Sequence, residues 1–227
     1  MRKKRSPLVT VGILVVALLS VLIGSAIGKY VTTVPVPGKV TFHANLGTIT
    51  LQEHAVVRNP DGSYSLTEDI AAADKNGNFN AYSLLPGVDI PKDPFVKIEN
   101  KSPIEAYVFV EVVDTLAETK NGTTYTPITY TVSSDWLKLE GVTGKNGGAV
   151  YVYKGNDTKA KPITTNMEVQ ILAPLAEGKP ETIRVSQTLI AQSVSDGGDV
   201  LEFYACMGEV AMGADTAAVY KAINNII

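Results

Sequence analysis

Hydrophobic residues in this chain fall in short bursts with a period near two, separated by turns of proline, glycine and asparagine. The densest burst is Ala106-Tyr107-Val108-Phe109-Val110-Glu111-Val112-Val113, β-branched and aromatic apart from one carboxylate and one alanine. A strand wetted on one face alternates apolar with polar residues. This run does not, so it predicts a central strand covered on both faces. Just before it, Phe95, Lys97 and Glu99 alternate with Val96 and Ile98, the pattern of a short strand that Ser102-Pro103 breaks. Pro86-Gly87 predicts a turn upstream. Pro91 and Pro94 delimit an extended approach, because proline has no N–H to give a ladder. The remaining strands are expected to pack around Leu84–Asp114.

Elsewhere the pattern is similar but weaker. Lys29–Gly38 is extended, and Pro35 and Pro37 at alternate positions restrict it to a linker or an edge strand. Strands are predicted at Val40–Ala44, Thr48–Glu53, Ala55–Arg58 and Ser63–Leu66, with Asn59-Pro60-Asp61-Gly62 closing a hairpin between the last two. Asp69–Ala73 is compatible with a short helix, and Asp74–Asn80 is polar loop. The spaced Asp and Asn residues of that loop resemble a calcium loop. Its glycine, however, is fourth rather than sixth, and the twelfth residue is Leu85 instead of glutamate, so the polar-loop reading stands.

Asn121-Gly122 is the sharpest hairpin signal in the chain. Ile128–Val132 alternates, Asp135–Glu140 begins a strand with Trp136 packed at its start, and Asn146-Gly147-Gly148 turns into Ala149–Lys154. Met167–Leu172 and Glu181–Gln192 follow. After Gly197-Gly198-Asp199, residues Val200, Phe203, Tyr204 and Met207 fall at helical spacing with Asp199 as a cap. Asp215–Asn225 forms a second helical pattern that presents Ala218, Tyr220 and Ile223 for burial. About nine strands at turn-punctuated intervals, with helices mainly at the end, predict an all-β fold with minor α: an antiparallel β-sandwich with short C-terminal helices.

The N-terminus is a separate unit. Arg2, Lys3, Lys4 and Arg5 precede Leu8–Ile23, which is apolar apart from Thr10, Gly12 and Ser20, and Gly24, Ser25, Ala26 and Gly28 close it. This predicts a secretory signal peptide over residues 1–28, cut after Ala26 (Gly24 at −3) or after Gly28 (Ala26 at −3). The alternative is an uncleaved signal anchor, with residues 8–28 as the only contact with a membrane. In both cases the globular part is exported: residues 29–38 form an extended N-terminal segment and residues 39–227 the sandwich domain. Removing the four cations leaves 16 basic residues against 23 acidic ones, −7 instead of −3. An acidic exported domain without a basic aromatic patch gives no reason to expect a nucleic-acid partner.

Cys206 is the only cysteine, so the domain has no internal disulfide and must be held by its core, which roughly 200 residues can supply. With no histidine or basic residue nearby in sequence, Cys206 reads as a small buried hydrophobe rather than a reactive thiol. His43 and His54 both lie in predicted β segments. Neither belongs to an HExxH helix and cysteine ligands are lacking, so no zinc site is expected. No GxSxG elbow, Walker loop or dinucleotide fingerprint is present. Carboxylates such as Glu111 and Asp114 could meet across strands, but pairs of acids are common by chance. No catalytic, cofactor-binding or metal-ligating residue is assigned, and the reading is non-enzymatic.

The Leu85-Pro86-Gly87 turn, the Pro91-Lys92-Asp93-Pro94 segment with its following strand, and Ala106-Tyr107-Val108-Phe109-Val110 together resemble the TasA/camelysin family. These are exported surface and biofilm-matrix proteins of Gram-positive bacteria, processed by a SipW-type signal peptidase. Trp136-Leu137 ahead of Val150-Tyr151-Val152-Tyr153, Leu189-Ile190-Ala191-Gln192, and the signal region ending Ile23-Gly24-Ser25-Ala26 are similar too. The chain departs from the family in having Gly28-Lys29-Tyr30-Val31-Thr32 where many members carry an aromatic-rich signal tail.

The resemblance implies a jelly-roll sandwich that assembles outside the cell into fibres, with itself and with other matrix proteins. In such an assembly the N-terminal strand of one subunit completes the sheet of the next. The matching segment here is Tyr30–Val36, freed by signal cleavage, with Tyr30, Val31, Thr32, Val34 and Val36 as assembly residues. A flexible spacer is the competing reading of this segment. Two other functions stand beside the matrix protein: a membrane-tethered surface binding module, and a camelysin-like protease, for which the chain has no recognisable zinc-ligand set.

Overall fold

The computed structural model describes residues 33–34, 40–41, 46–71, 80, 83–99, 104–116, 118–120, 123–177, 179–186, 192–193 and 201–226. Its principal strands are β1 (Thr48–Gln52), β2 (His54–Arg58), β3 (Tyr64–Ile70), β4 (Asp89–Pro91), β5 (Phe95–Glu99) and β6 (Ala106–Asp114). They continue with β7 (Trp136–Thr143), β8 (Ala149–Tyr153), β9 (Met167–Gln170), β10 (Thr182–Val185) and β11 (Leu201–Glu209), and one α-helix, α1 (Thr216–Asn224), follows. The fold is all-β with minor α.

The largest sheet has six strands in the order Thr33–Val34, Val40–Thr41, β11, β6, β8, β7. Along its whole length β6 pairs antiparallel with β11, from Ala106 opposite Glu209 to Asp114 opposite Leu201. On its other side β6 pairs with β8, Phe109 facing Val152 and Val112 facing Ala149. Because side chains alternate across a strand, β6 feeds two separate cores. Val108, Val110 and Val112 join Leu201, Phe203, Ala205 and Met207 of β11 in the larger one. Two three-stranded sheets close that core: β9–β5–β1, and Ile128–Thr129 with β10 and β4. Phe109 points the other way, with Val150, Val152 and Cys206, against Val219, Tyr220 and Ile223 of α1. The expectation of a β6 strand covered on both faces is met.

Helix α1 begins where the sequence places it. Asp215 Oδ1 accepts the Ala218 N–H at 2.8 Å, capping the first turn. Asn225, at φ 54°, ends the helix in the left-handed conformation. Val219, Tyr220 and Ile223 are buried, so the i, i+1, i+4 stripe faces the sheet, while Ala218 lies at its margin.

Several segments fold differently from their sequence pattern. Leu201–Met207 is not helical but belongs to β11 (Leu201–Glu209), and Val200 lies outside the described residues; the spacing of Val200, Phe203, Tyr204 and Met207 misleads because apolar residues stand on both faces of the strand. Leu201, Phe203, Ala205 and Met207 share one face, Cys206 and Gly208 the other. Among the described residues one α-helix is found at the C-terminal end, with a 3-10 turn at Val210–Met212 before it. Asp69 and Ile70 complete β3 rather than opening a helix; residues 72–79, the polar loop, lie outside the described residues. Ile128–Val132 divides, Ile128–Thr129 pairing with β10 and Thr131–Val132 with Leu172–Ala173. The expected 181–192 strand is described as β10 and as Gln192–Ser193, which pairs with Ser83–Leu84. Asn121-Gly122 and Asp199 lie outside the described residues; on either side of the Asn-Gly pair, Lys120 pairs antiparallel with Thr123. Among the described residues no helix is long and apolar enough to cross a membrane.

The approach of α1 to the sheet is set at Gly208. A Cβ there would lie 2.6 Å from Val219 Cγ1 and 3.0 Å from Ile223 Cγ2. Gly208→Ala is expected to push α1 off the sheet and destabilise the domain by about 1–3 kcal/mol, the usual cost of overpacking. A lowered urea midpoint with unchanged m-value checks this.

Candidate functional site

Three places bear on function: the N-terminal edge of the main sheet and two buried polar clusters. At the edge, Thr33 and Val34 pair antiparallel with Thr41 and Val40, and Val40 and Thr41 pair in parallel with Ala205 and Cys206 of β11. Of the expected assembly residues, Val34 is therefore in a strand on this edge. Tyr30, Val31, Thr32 and Val36, the cleavage positions Ala26 and Gly28, and His43 lie outside the described residues.

The first cluster forms where β1 meets β2. Ile49 and Leu51 of β1 point into the large core, and two residues on, with the same parity, comes Glu53. It is 2% exposed. Its Oε2 accepts from Lys92 Nζ at 3.0 Å, and its Oε1 accepts a short hydrogen bond from Asn80 Nδ2. Lys92 and Asp93 follow β4, at 2% and 3% exposure, and Lys92 Nζ also lies 5.6 Å from the centre of the Phe203 ring. The Asn80 amide is fully engaged: Nδ2 also donates to the His54 carbonyl at 3.0 Å, and Oδ1 accepts the Val56 N–H at 2.9 Å. Asp93 takes the His54 backbone N–H at 3.0 Å on one oxygen and the His54 Nδ1 at 2.6 Å on the other. His54 is thus a strand residue with a defined partner. Burying these charges carries a large desolvation cost, which only dense hydrogen bonding of this kind offsets.

The second cluster lies beneath α1. Glu111, in β6, is 3% exposed. Its Oε1 accepts the backbone N–H of Asn146 at 2.8 Å and of Gly148 at 2.9 Å. Its Oε2 accepts Asn146 Nδ2 at 3.0 Å and the Tyr220 hydroxyl at 3.2 Å. Four donors fill the carboxylate's lone-pair positions, so it clamps the turn and the helix and has none left for a ligand. Gly144 makes room for it, since a Cβ there would lie 2.2 Å from Glu111 Cδ. A cavity of ≈140 Å³ adjoins it, lined by Lys145, Tyr204, Cys206, Tyr220 and Asn224 among others. Burial pushes the Cys206 thiol up to about 12, partly offset by the Asn224 amide that donates to its sulfur at 3.7 Å. Burial likewise raises the Tyr220 hydroxyl. As expected, Cys206 is a buried free thiol. Glu111 and Asp114 do not meet: three positions apart on one strand they point to opposite faces, and Asp114 acts on Tyr130 in the other layer.

Neither cluster was assigned from sequence. Lys92 and Asp93 stand in a proline-framed segment, and the sequence signal that could have found Glu53 is its inward parity after Ile49 and Leu51. No comparable signal marks Asn80. Among the described residues, no three or more His, Cys, Asp or Glu side chains are grouped to hold a metal ion. No family model matches the chain, and neither a curated protein nor a solved structure matches it significantly.

Glu111→Leu is expected to cost about 3 kcal/mol, because it strands buried N–H donors of the turn without an acceptor; chemical denaturation reads this directly. Stability should also fall as pH rises from 9.0 toward about 12: the unfolded chain ionises Cys206 over that window while the folded one keeps the proton. The slope should flatten in Cys206→Ala. At neutral pH, alkylation of Cys206 should proceed only as fast as the domain unfolds.

Proposed function

We propose that this chain is an exported, non-enzymatic structural protein of the cell surface or biofilm matrix that self-assembles by β-strand addition. The observation that carries the reading is the position of the N-terminal segment. It follows the predicted signal peptide, and its described part, Thr33–Val34, pairs with Val40–Thr41 at the outer edge of the main sheet. A strand so placed at a sheet edge is the element that strand addition exchanges between subunits: backbone hydrogen bonds supply affinity, and alternate side chains supply fit. Val40–Thr41 stands between it and β11, and among the described residues it pairs with two of the nine residues of that strand. An arriving segment from a neighbouring subunit would pair along this edge. The resemblance of Leu84–Asp114 to the TasA/camelysin family points the same way, and on that basis the precursor is a substrate of a SipW-type signal peptidase and the mature chain is extracellular.

Two measurements test the reading. Sequencing the exported form should give an N-terminus after Ala26 or Gly28; a chain retaining Arg2 would favour the tethered module instead. Protein starting at Lys29 should form filaments by electron microscopy, whereas protein starting at Gly38, folded by circular dichroism, should stay monomeric. Equal behaviour of the two chains would exclude strand donation.

A further inference from the structure

The buried Glu53 cluster holds the parts of an amide-transfer reaction between two of its own side chains. We propose that Lys92 and Asn80 become joined by an intramolecular isopeptide bond, with Glu53 moving the protons. The proposal is independent of the assembly reading.

Each group has a place. Lys92 Nζ is the nucleophile and sits on Glu53 Oε2 at 3.0 Å. The Asn80 amide is the acyl donor and sits on the other oxygen of the same carboxylate through its Nδ2, the leaving nitrogen. Asn80 Oδ1, where negative charge would develop, accepts the Val56 backbone N–H at 2.9 Å, the arrangement of an oxyanion-stabilising donor. The assignment of the amide follows from its partners, since Nδ2 faces two acceptors and Oδ1 a donor. Lys92 and Glu53 are nearly inaccessible to water, and Phe203 lies against the ammonium.

The step balances. A proton passes from Lys92 Nζ to Glu53 Oε2, and the free amine attacks Asn80 Cγ. Glu53 returns its proton to Nδ2 as the Cγ–Nδ2 bond breaks and the Cγ–Nζ bond forms, and the second proton of the attacking nitrogen passes by way of Glu53 to the departing ammonia, which is general base and general acid catalysis. Of the five hydrogens first carried by the two nitrogens, one stays on the new amide and four leave as ammonium. Glu53 ends ionised, as it began. No oxidant, metal or cofactor takes part, and the reaction runs once per molecule. The product ties Asn80, upstream of Ser83–Leu84, to the residue after β4 and replaces the buried ammonium by a neutral amide.

Trypsin and mass spectrometry on the folded exported chain test this. The sequence has no lysine or arginine between Lys75 and Lys92. The bond should therefore give one uncut peptide spanning 76–97, lighter than its sequence by one ammonia, with fragmentation placing the loss between Asn80 and Lys92. Folded protein cleaved after Lys92 with Asn80 intact would overturn the proposal. Glu53→Gln should leave Lys92 cleavable; a bond formed as completely in that variant would refute the role given to Glu53. Asn80→Asp, which keeps an acyl group at the site, should lose one water instead of one ammonia. If Glu53→Gln does not fold, the change of leaving group in Asn80→Asp decides, and loss of ammonia persisting there would place the link elsewhere.

Discussion

The register between β6 and β11 is the constraint on which the rest depends. Nine consecutive residues of each strand pair, and both strands bury residues on both faces. Shifting β6 by one residue would exchange its faces. Glu111 would then enter the aliphatic core occupied by Val110 and Val112, and the valines would meet the Asn146 turn. The ladder thereby decides which side chains face the two small sheets, which face α1, and where the only carboxylate of β6's buried stretch ends up. Gly208 belongs to the same constraint, because without a side chain there α1 can lie directly on the sheet.

The two buried carboxylates extend this constraint to parts of the chain that the ladders do not reach. Glu111 binds the turn after β7 and the hydroxyl of Tyr220, 109 residues away. Glu53 and Asp93 bind across 39 residues, joining the β1–β2 corner to the segment between β4 and β5. Apolar residues in these places would make as good a core and no desolvation cost. What the charges add is direction: a hydrogen-bonded carboxylate accepts only one arrangement of its neighbours, whereas packed methyl groups accept several. In the Glu53 cluster that same direction orients an amine and an amide on one carboxylate, so chemistry and fold specification rest on the same contacts.

Much of the fold could be read from the chain itself where local chemistry and burial agree. Val96 and Ile98 alternate with charged Lys97 because β5 has one exposed face. Asp215 caps α1 because its side chain reaches a free N–H three residues on. Trp136 packs at the start of β7, where its Nε1 donates to the Gln170 carbonyl at 2.7 Å. The reading failed at β11 and at Asp69–Ile70. In β11 the apolar set Val200, Phe203, Met207 satisfies a helical period and the set Leu201, Phe203, Ala205, Met207 a strand period, and nothing local chooses between them. Of the sites, Lys92-Asp93 stood out in sequence only as part of a proline-framed motif. Asn80 looked like any loop asparagine, because its partners, Glu53, His54 and Val56, lie 24 to 27 residues earlier in the chain.

Sequence alone determined the β character, the position of the central strand, the terminal helix and its cap, and the burial of the lone thiol. These follow from propensity, periodicity and the geometry of prolines and caps, which act over a few residues. Tertiary structure alone decided that Leu201–Glu209 is a strand, that Glu111 and Glu53 lie inside, and that His54, Asn80, Lys92 and Asp93 meet. Those outcomes depend on which segments become neighbours. A strand covered on both faces loses the alternation that would announce it, and a buried charge is defined by partners that lie tens of residues away.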